Sequence, residues 1–287
     1  MVAASAVLHV AWNVRLKTAQ DPLQAGAIGL AVGALIVVPL GVVVWVAGGA
    51  RPLPAEAVAL GLLSGLLEAV YFVLLAAAYR RGDLSVVYPI ARGTAPLLLV
   101  GVGVLVLGER LGRLGWIGVA ALIVGFLVLQ RPWLALRSAA GRARPNTAVA
   151  FALATGVAIA AYTSVDRVGA RLVDPIVYAA ILWLSGSMLL VALIRLTGRT
   201  DGWQAPGVAR SAAIGGVLTL AAYLLILIAL SVSPLTAVAP LRESATVVAA
   251  AWGTFRLGEA VSRGEAVRRI GASALIVAGA ILLALDG

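Results

Sequence analysis

Ten apolar stretches, each ended by a short polar link, run through this chain of 287 residues. The links carry Arg, Gly, Pro and Asp. Between them the apolar character lasts for about 20 residues, the length a helix needs to cross the hydrocarbon core of a bilayer. The predicted spans are Val2–Lys17, Leu23–Ala47, Ala57–Tyr79, Leu84–Leu107 and Gly112–Leu129, then Thr147–Val168, Pro175–Leu196, Val208–Leu230, Pro234–Leu257 and Ala266–Leu285. The longest clearly polar connection, Arg131–Asn146, holds four Arg and joins two sets of five.

The two sets repeat one another. ALIV at Ala121–Val124 returns at Ala274–Val277. Arg92, Thr94–Ala95, Gly103 and Leu107–Gly108–Glu109 recur 150 positions later as Arg242, Ser244–Ala245, Gly253 and Leu257–Gly258–Glu259. Tyr79–Pro89 lies over Leu230–Pro240 at a spacing of 151. Trp12–Asn13 lies over Tyr162–Thr163, and Asp21–Pro22 over Asp174–Pro175. An odd number of spans per repeat forces the halves into opposite orientations, the inverted arrangement from which many transporter sites are built. The expected fold is an all-α polytopic membrane protein with ten transmembrane helices in two inverted five-helix repeats. Residues 1–130 form the first repeat, 131–146 a basic connecting loop and 147–287 the second repeat.

Composition sharpens this picture. Hydrophobic residues make up 62% of the chain and charged ones 12%, with a mean hydropathy of +1.05. Soluble domains carry about 25% charge, so the bilayer must be the solvent. The net charge of +10 is scattered over many loops, not gathered into the stripe that nucleic acid would require. It reads as topology signal and lipid-headgroup contact, and no nucleic-acid partner is expected. Loops after odd-numbered spans hold about fifteen Lys/Arg and those after even ones about five, which by the positive-inside rule places both termini outside. There is no Cys and one His, so neither thiolate nor His-cluster metal sites form, and no metal or cofactor is expected. No phosphate-cradling G-x-x-x-x-G-K-[ST] loop exists, which argues against ATP drive. The first apolar run lacks a basic leader segment and passes straight into further spans, so no cleavable signal is expected.

Ionisable residues inside spans are costly and mark functional candidates. Here they are His9, Glu68, Arg92, Asp166, Arg242 and Glu243. Arg92 and Arg242 are repeat mates, each about eight residues or 12 Å into its span, which brings both near the midplane of a core about 30 Å thick. They either lock helices through Glu68 or Glu243, or contact substrate and gate it. Pro89 and Pro96 flank Arg92, and Pro240 precedes Arg242. Such prolines free carbonyls that either face substrate or are satisfied by neighbouring helices. His9, Trp12 and Asn13 share one helix face. His9 either carries a proton or is held by a neighbouring helix, and Trp12 either walls a cavity or packs. Tyr162 and Asp166 share a face of the repeat-mate helix. Asp166 is either a surface ion pair with Arg167 and Arg171 or a carboxylate at a cavity mouth that binds protons or cations. Glu68, deep in its span, is the preferred proton carrier. Gly108–Glu109 and Gly258–Glu259 read as helix stops with a loop ion pair.

These residues resemble the drug/metabolite transporter superfamily, specifically the EamA-type family with two five-helix repeats. The resemblance rests on H-V-A-W-N-V-R-L-K at His9–Lys17, G-D-L-S-V-V-Y-P-I-A-R at Gly82–Arg92 and S-P-L-T-A-V-A-P-L at Ser233–Leu241. It rests also on the G-E pairs and the I-G-x-x-A-L-I-V runs at Ile117–Val124 and Ile270–Val277. It implies ten helices around a central cavity and transport of amino acids, sugars, nucleotide-linked compounds or drugs. It also implies cytoplasmic termini, the opposite of what the loop charges imply. It assigns no residue a role.

The expected function is therefore secondary-active transport of a small polar metabolite, amino-acid-like or an organic anion, across the inner (cytoplasmic) membrane. Transport proceeds by alternating access, with proton coupling open. The alternatives are a metabolite exchanger or a flippase for a lipid-linked substrate. His9, Trp12, Asn13, Glu68, Tyr71, Arg92, Tyr162 and Arg242 are expected to line the cavity, with Glu68, Asp166 and Glu243 in coupling or gating. An enzyme is not expected, since acid/base groups are too few and scattered. The partners are a small-molecule substrate and membrane lipids, and the chain is a monomer or a homodimer.

Overall fold

The computed structural model describes residues 1–17, 19–81, 84–131, 133, 147–198, 206–242 and 263–286. A helix stands at each of the ten predicted places: α1 Val2–Lys17, α2 Pro22–Ala47, α3 Ala55–Arg81, α4 Leu84–Leu105, α5 Arg113–Gln130, α6 Thr147–Leu172, α7 Pro175–Leu196, α8 Pro206–Val232, α9 Leu235–Arg242 and α10 Arg263–Asp286. Among the described residues, α2, α3, α6, α7 and α8 are long and apolar enough to cross a membrane. Large apolar side chains such as Leu35, Val43, Leu105 and Leu196 stay exposed on the helices, as they do when lipid is the solvent. The predicted ninth span is described only as α9, and its remainder lies outside the described residues.

Local chemistry sets the helix starts. Asp21 accepts from the Leu23 and Gln24 amides at 2.9 and 3.3 Å, with Pro22 opening α2. Asp174 accepts from the Ile176 amide at 2.8 Å, with Pro175 opening α7. An Asp cap followed by Pro satisfies an orphan amide and fixes the first helical φ. Two further carboxylates cap helices remote in sequence. Glu109 takes the Leu235 and Thr236 amides at 2.7 and 2.9 Å, so it caps α9. Asp286 takes the Gly112 amide at 2.6 Å, so it caps α5. Beyond the sequence reading of Glu109 as part of a helix stop, its carboxylate meets a helix start.

The helices group into two compact units that do not follow the order of the chain. One comprises Met1–Ala76 and Ala161–Val232, the other Ala77–Ala160 and Ser233–Gly287. In the first unit, α2 packs against α7 and α8, and α1 against α8. In the second, α5 packs against α10, and α9 against α4 and α10.

Contacts inside the first unit make the repeat visible in three dimensions. A Cβ on Gly65 in α3 would stand 2.6 Å from the Leu182 carbonyl of α7. A Cβ on Gly216 in α8, 151 positions later, would collide with the Gly29 carbonyl of α2. Gly29 and Leu182 are themselves 153 apart, the spacing of Asp21–Pro22 to Asp174–Pro175. The α3–α7 and α8–α2 contacts are thus one packing solution used twice, with glycine letting backbones approach. In the second unit, a Cβ on Gly118 of α5 would stand 2.7 Å from the Gly279 carbonyl of α10, and one on Gly279 would stand 2.6 Å from the Gly118 carbonyl.

Candidate functional site

Asp166 in α6 is fully buried. Three hydroxyls from three other helices converge on it. Ser64 of α3 donates to Oδ1 at 2.5 Å and Tyr178 of α7 donates to the same oxygen at 3.0 Å, while Tyr223 of α8 donates to Oδ2. An ionised carboxylate only accepts, so it can take all three. A protonated one donates through one oxygen, and one hydroxyl then accepts from it and aims its own proton elsewhere. The protonation state of Asp166 therefore sets the direction of one of the hydrogen bonds that tie α6 to α3, α7 and α8. The surface setting offered for Asp166 is corrected: the side chain is buried, with three hydroxyls on its carboxylate. The adjacent Arg167, also buried, donates through Nη1 to the Leu230 carbonyl at 3.2 Å.

Glu68 is 6% exposed and lies one helical turn beyond Ser64 on α3. Ser64, Glu68 and Tyr71 share a face by their i, i+4, i+7 spacing. A chain of aromatic rings in edge or tilted contact runs through the same unit. Tyr71 meets Tyr162 at 5.8 Å between centroids, Tyr162 meets Tyr223 at 6.0 Å and Tyr223 meets Trp183 at 5.2 Å. Tyr71 also meets Phe72 at 5.1 Å, Phe72 meets Trp12 at 6.5 Å, and Trp12 meets His9 at 5.6 Å. Such pairs prefer these offset geometries.

The first unit thus brings together His9, Trp12, Glu68, Tyr71, Tyr162 and Asp166, all buried. Asn13 lies in α1, but its side chain is outside the described residues. The second unit carries the arginines. Arg92 is in α4 with its side chain outside the described residues, and Arg242, buried, closes the described part of α9. Glu243 lies outside the described residues. α4 runs as one helix through Pro89 and Pro96.

Ser64, Tyr178, Tyr223, Trp183 and Phe72 escaped the sequence reading. One signal for Tyr223 was present: it lies over Phe72 at the same spacing of 151 that relates Tyr79–Pro89 to Leu230–Pro240. No periodicity marks Tyr178, a single phenol near the start of an apolar helix.

Helices throughout, an internal repeat and an acid sealed among hydroxyls inside long apolar helices define an all-α polytopic membrane protein with a polar interior. The chain belongs to the EamA-like transporter family, whose model matches residues 1–131 and 146–285, one segment for each half. A solved protein crystal structure is similar over 99% of this chain and 94% of its own, with a TM-score of 0.74 and 21% identity, a likeness of fold. No curated protein matches the sequence.

Proposed function

We propose that this protein is a secondary-active transporter that moves a small polar metabolite, amino-acid-like or an organic anion, across the inner membrane by alternating access coupled to protons. Membership of a transporter family supports the class and argues against an enzyme. The observation that carries the coupling is Asp166, whose two oxygens hold α3, α7 and α8 to α6 through Ser64, Tyr178 and Tyr223. Protonation turns one acceptor into a donor, which reverses one of these hydrogen bonds and leaves that hydroxyl's own proton needing a new acceptor. That gives a proton a mechanical consequence, and a carrier needs one if it is to shift between two states. Glu68 on the same α3 face is the second carboxyl of the relay. Arg92 and Arg242 supply cationic groups for the cargo's acid end, because guanidinium binds carboxylates in a two-pronged geometry. The cargo and surrounding lipid are the partners, and ten helices suffice for one chain to work as a monomer or within a homodimer.

The test is flux into proteoliposomes under an imposed pH gradient, with a panel of labelled amino acids and organic acids. Accumulation that follows the gradient and vanishes in Asp166→Asn and Glu68→Gln, with normal membrane insertion, is the expected result. Flux that needs a counter-substrate on the far side and ignores both substitutions would replace proton coupling with exchange.

A further inference from the structure

The first unit holds a cavity of about 260 Å³ formed by α1, α2 and α8, with Phe72 of α3. Its position in the repeat explains why it is open. Leu16 stands 150 positions before Asp166, Ala25 stands 153 before Tyr178, and Gly215 and Thr219 stand 151 after Ser64 and Glu68. All four line the cavity. It is the repeat copy of the Asp166 cluster, emptied: a phenol has become a methyl, a hydroxymethyl a hydrogen, and both carboxylates are gone. The flanking rings persist, with Trp12 in place of Tyr162 and Phe72 in place of Tyr223. The tilted contact between Trp12 and Phe72 at 6.5 Å mirrors that between Tyr162 and Tyr223 at 6.0 Å.

The charge is reversed as well as the filling. Among the described residues no carboxylate lines the cavity, whereas Arg15 does, together with Gln20, Ser211 and Thr219. Trp12 is 5% exposed, and its indole N–H makes no hydrogen bond among the described residues. A buried donor of that kind calls for an acceptor. The remaining walls are apolar or glycine. At about 260 Å³ the space lies just below the usual size of small-molecule pockets, about 300–1,000 Å³.

We propose that this cavity binds a compact organic acid with an apolar body of aromatic size. The carboxylate faces Arg15 and supplies the acceptor for the Trp12 N–H. The body lies against Trp12 and Phe72, which offer flat apolar area. The proposal names a cargo class and rests, for that role, on the transport reading above. The binding itself stands apart from transport and is measured separately.

The experiment is calorimetry on the full chain in phosphatidylcholine nanodiscs, with indole-3-acetate as probe. Indole-3-acetamide serves as the neutral counterpart and decanoate as a lipid-like acid. Indole-3-acetate should bind, and the amide at least about tenfold more weakly, as loss of a charge-assisted contact implies. Arg15→Gln should cost a similar factor. Gly215→Leu should abolish binding, because a Cβ there meets nothing within 4 Å and the side chain grows into open space. Its thermal stability should match the unaltered chain. Equal binding of acid and amide, tighter binding of decanoate, or binding unchanged in Gly215→Leu would each overturn the proposal. Binding as expected, with no gradient-driven flux of the same acid or of any acid in the panel, would leave the site standing and remove the transport reading instead. Flux that persists in Gly215→Leu would do the reverse.

Discussion

Two corners of the first unit descend from the same stretch of sequence and have diverged to opposite ends. At the α6–α3–α7 corner, Asp166, Ser64 and Tyr178 fill the space and tie the helices through hydroxyls, with Tyr223 completing the shell. At the α1–α8–α2 corner, Leu16, Gly215 and Ala25 leave a cavity with Arg15 at its wall. The helix packing beneath is shared, as the matching Gly65–Leu182 and Gly216–Gly29 approaches show. The backbone solution was thus kept while side-chain volume and charge sign were exchanged. A repeat protein can in this way place a proton-sensitive group and an anion-sized space on equivalent scaffolds without altering the fold.

Removing the acid should break the comparison most sharply. Asp166→Asn keeps the shape but loses the titrating group, and gradient-driven flux should fall at least about a hundredfold, in the range where a buried polar network loses a charged member. Arg92→Ala and Arg242→Ala should likewise abolish transport while the protein still inserts, and uptake in vesicles checks all three. Next in size is a contrast between adjacent positions on α8. Gly216→Leu drives a side chain into the Gly29 backbone and should lower stability by about 3 kcal/mol or more, at the upper end of overpacking costs. Gly215→Leu meets open space and should leave the melting temperature in nanodiscs unchanged. Tyr223→Phe removes one of the three hydroxyls on Asp166. It should cost about 1.5–3 kcal/mol, the range for a hydrogen bond to a charged group, whereas the equivalent Phe72→Tyr at the cavity corner adds a hydroxyl with no carboxylate among the described lining residues to meet. The smallest effect belongs to a cap outside both corners. Glu109→Gln keeps one acceptor for the two α9 amides and should cost about 1 kcal/mol.

The helices were legible because lipid-facing apolar runs and Asp-Pro starts are local signals. α1 and α7 fall on the predicted bounds, and α3 and α6 extend a few residues beyond them because their polar ends still hold helical hydrogen bonds. Asp166 was legible as a charge in a span, but its setting was not. The neighbouring Arg167 and Arg171 suggested a surface, whereas burial was decided by α3, α7 and α8. Periodicity tells which face of one helix Tyr162 and Asp166 share. It cannot tell that Ser64, Tyr178 and Tyr223, from three other helices, aim at that face. The cavity was hidden for the same reason, since Gly215 and Ala25 read as ordinary packing residues until their repeat mates are seen filled. Glu109 looked like a loop charge because its partner amides, in α9, lie more than 120 residues away.

The most direct test of the account is the luminal pH of proteoliposomes, followed with a trapped dye while cargo enters without an imposed gradient. The account predicts that cargo uptake carries protons across and shifts luminal pH in the unaltered protein. In Asp166→Asn, any residual uptake should leave luminal pH unchanged. A pH shift of the same size per cargo molecule in both proteins would contradict it, because the proton would then travel by a route in which Asp166 has no part.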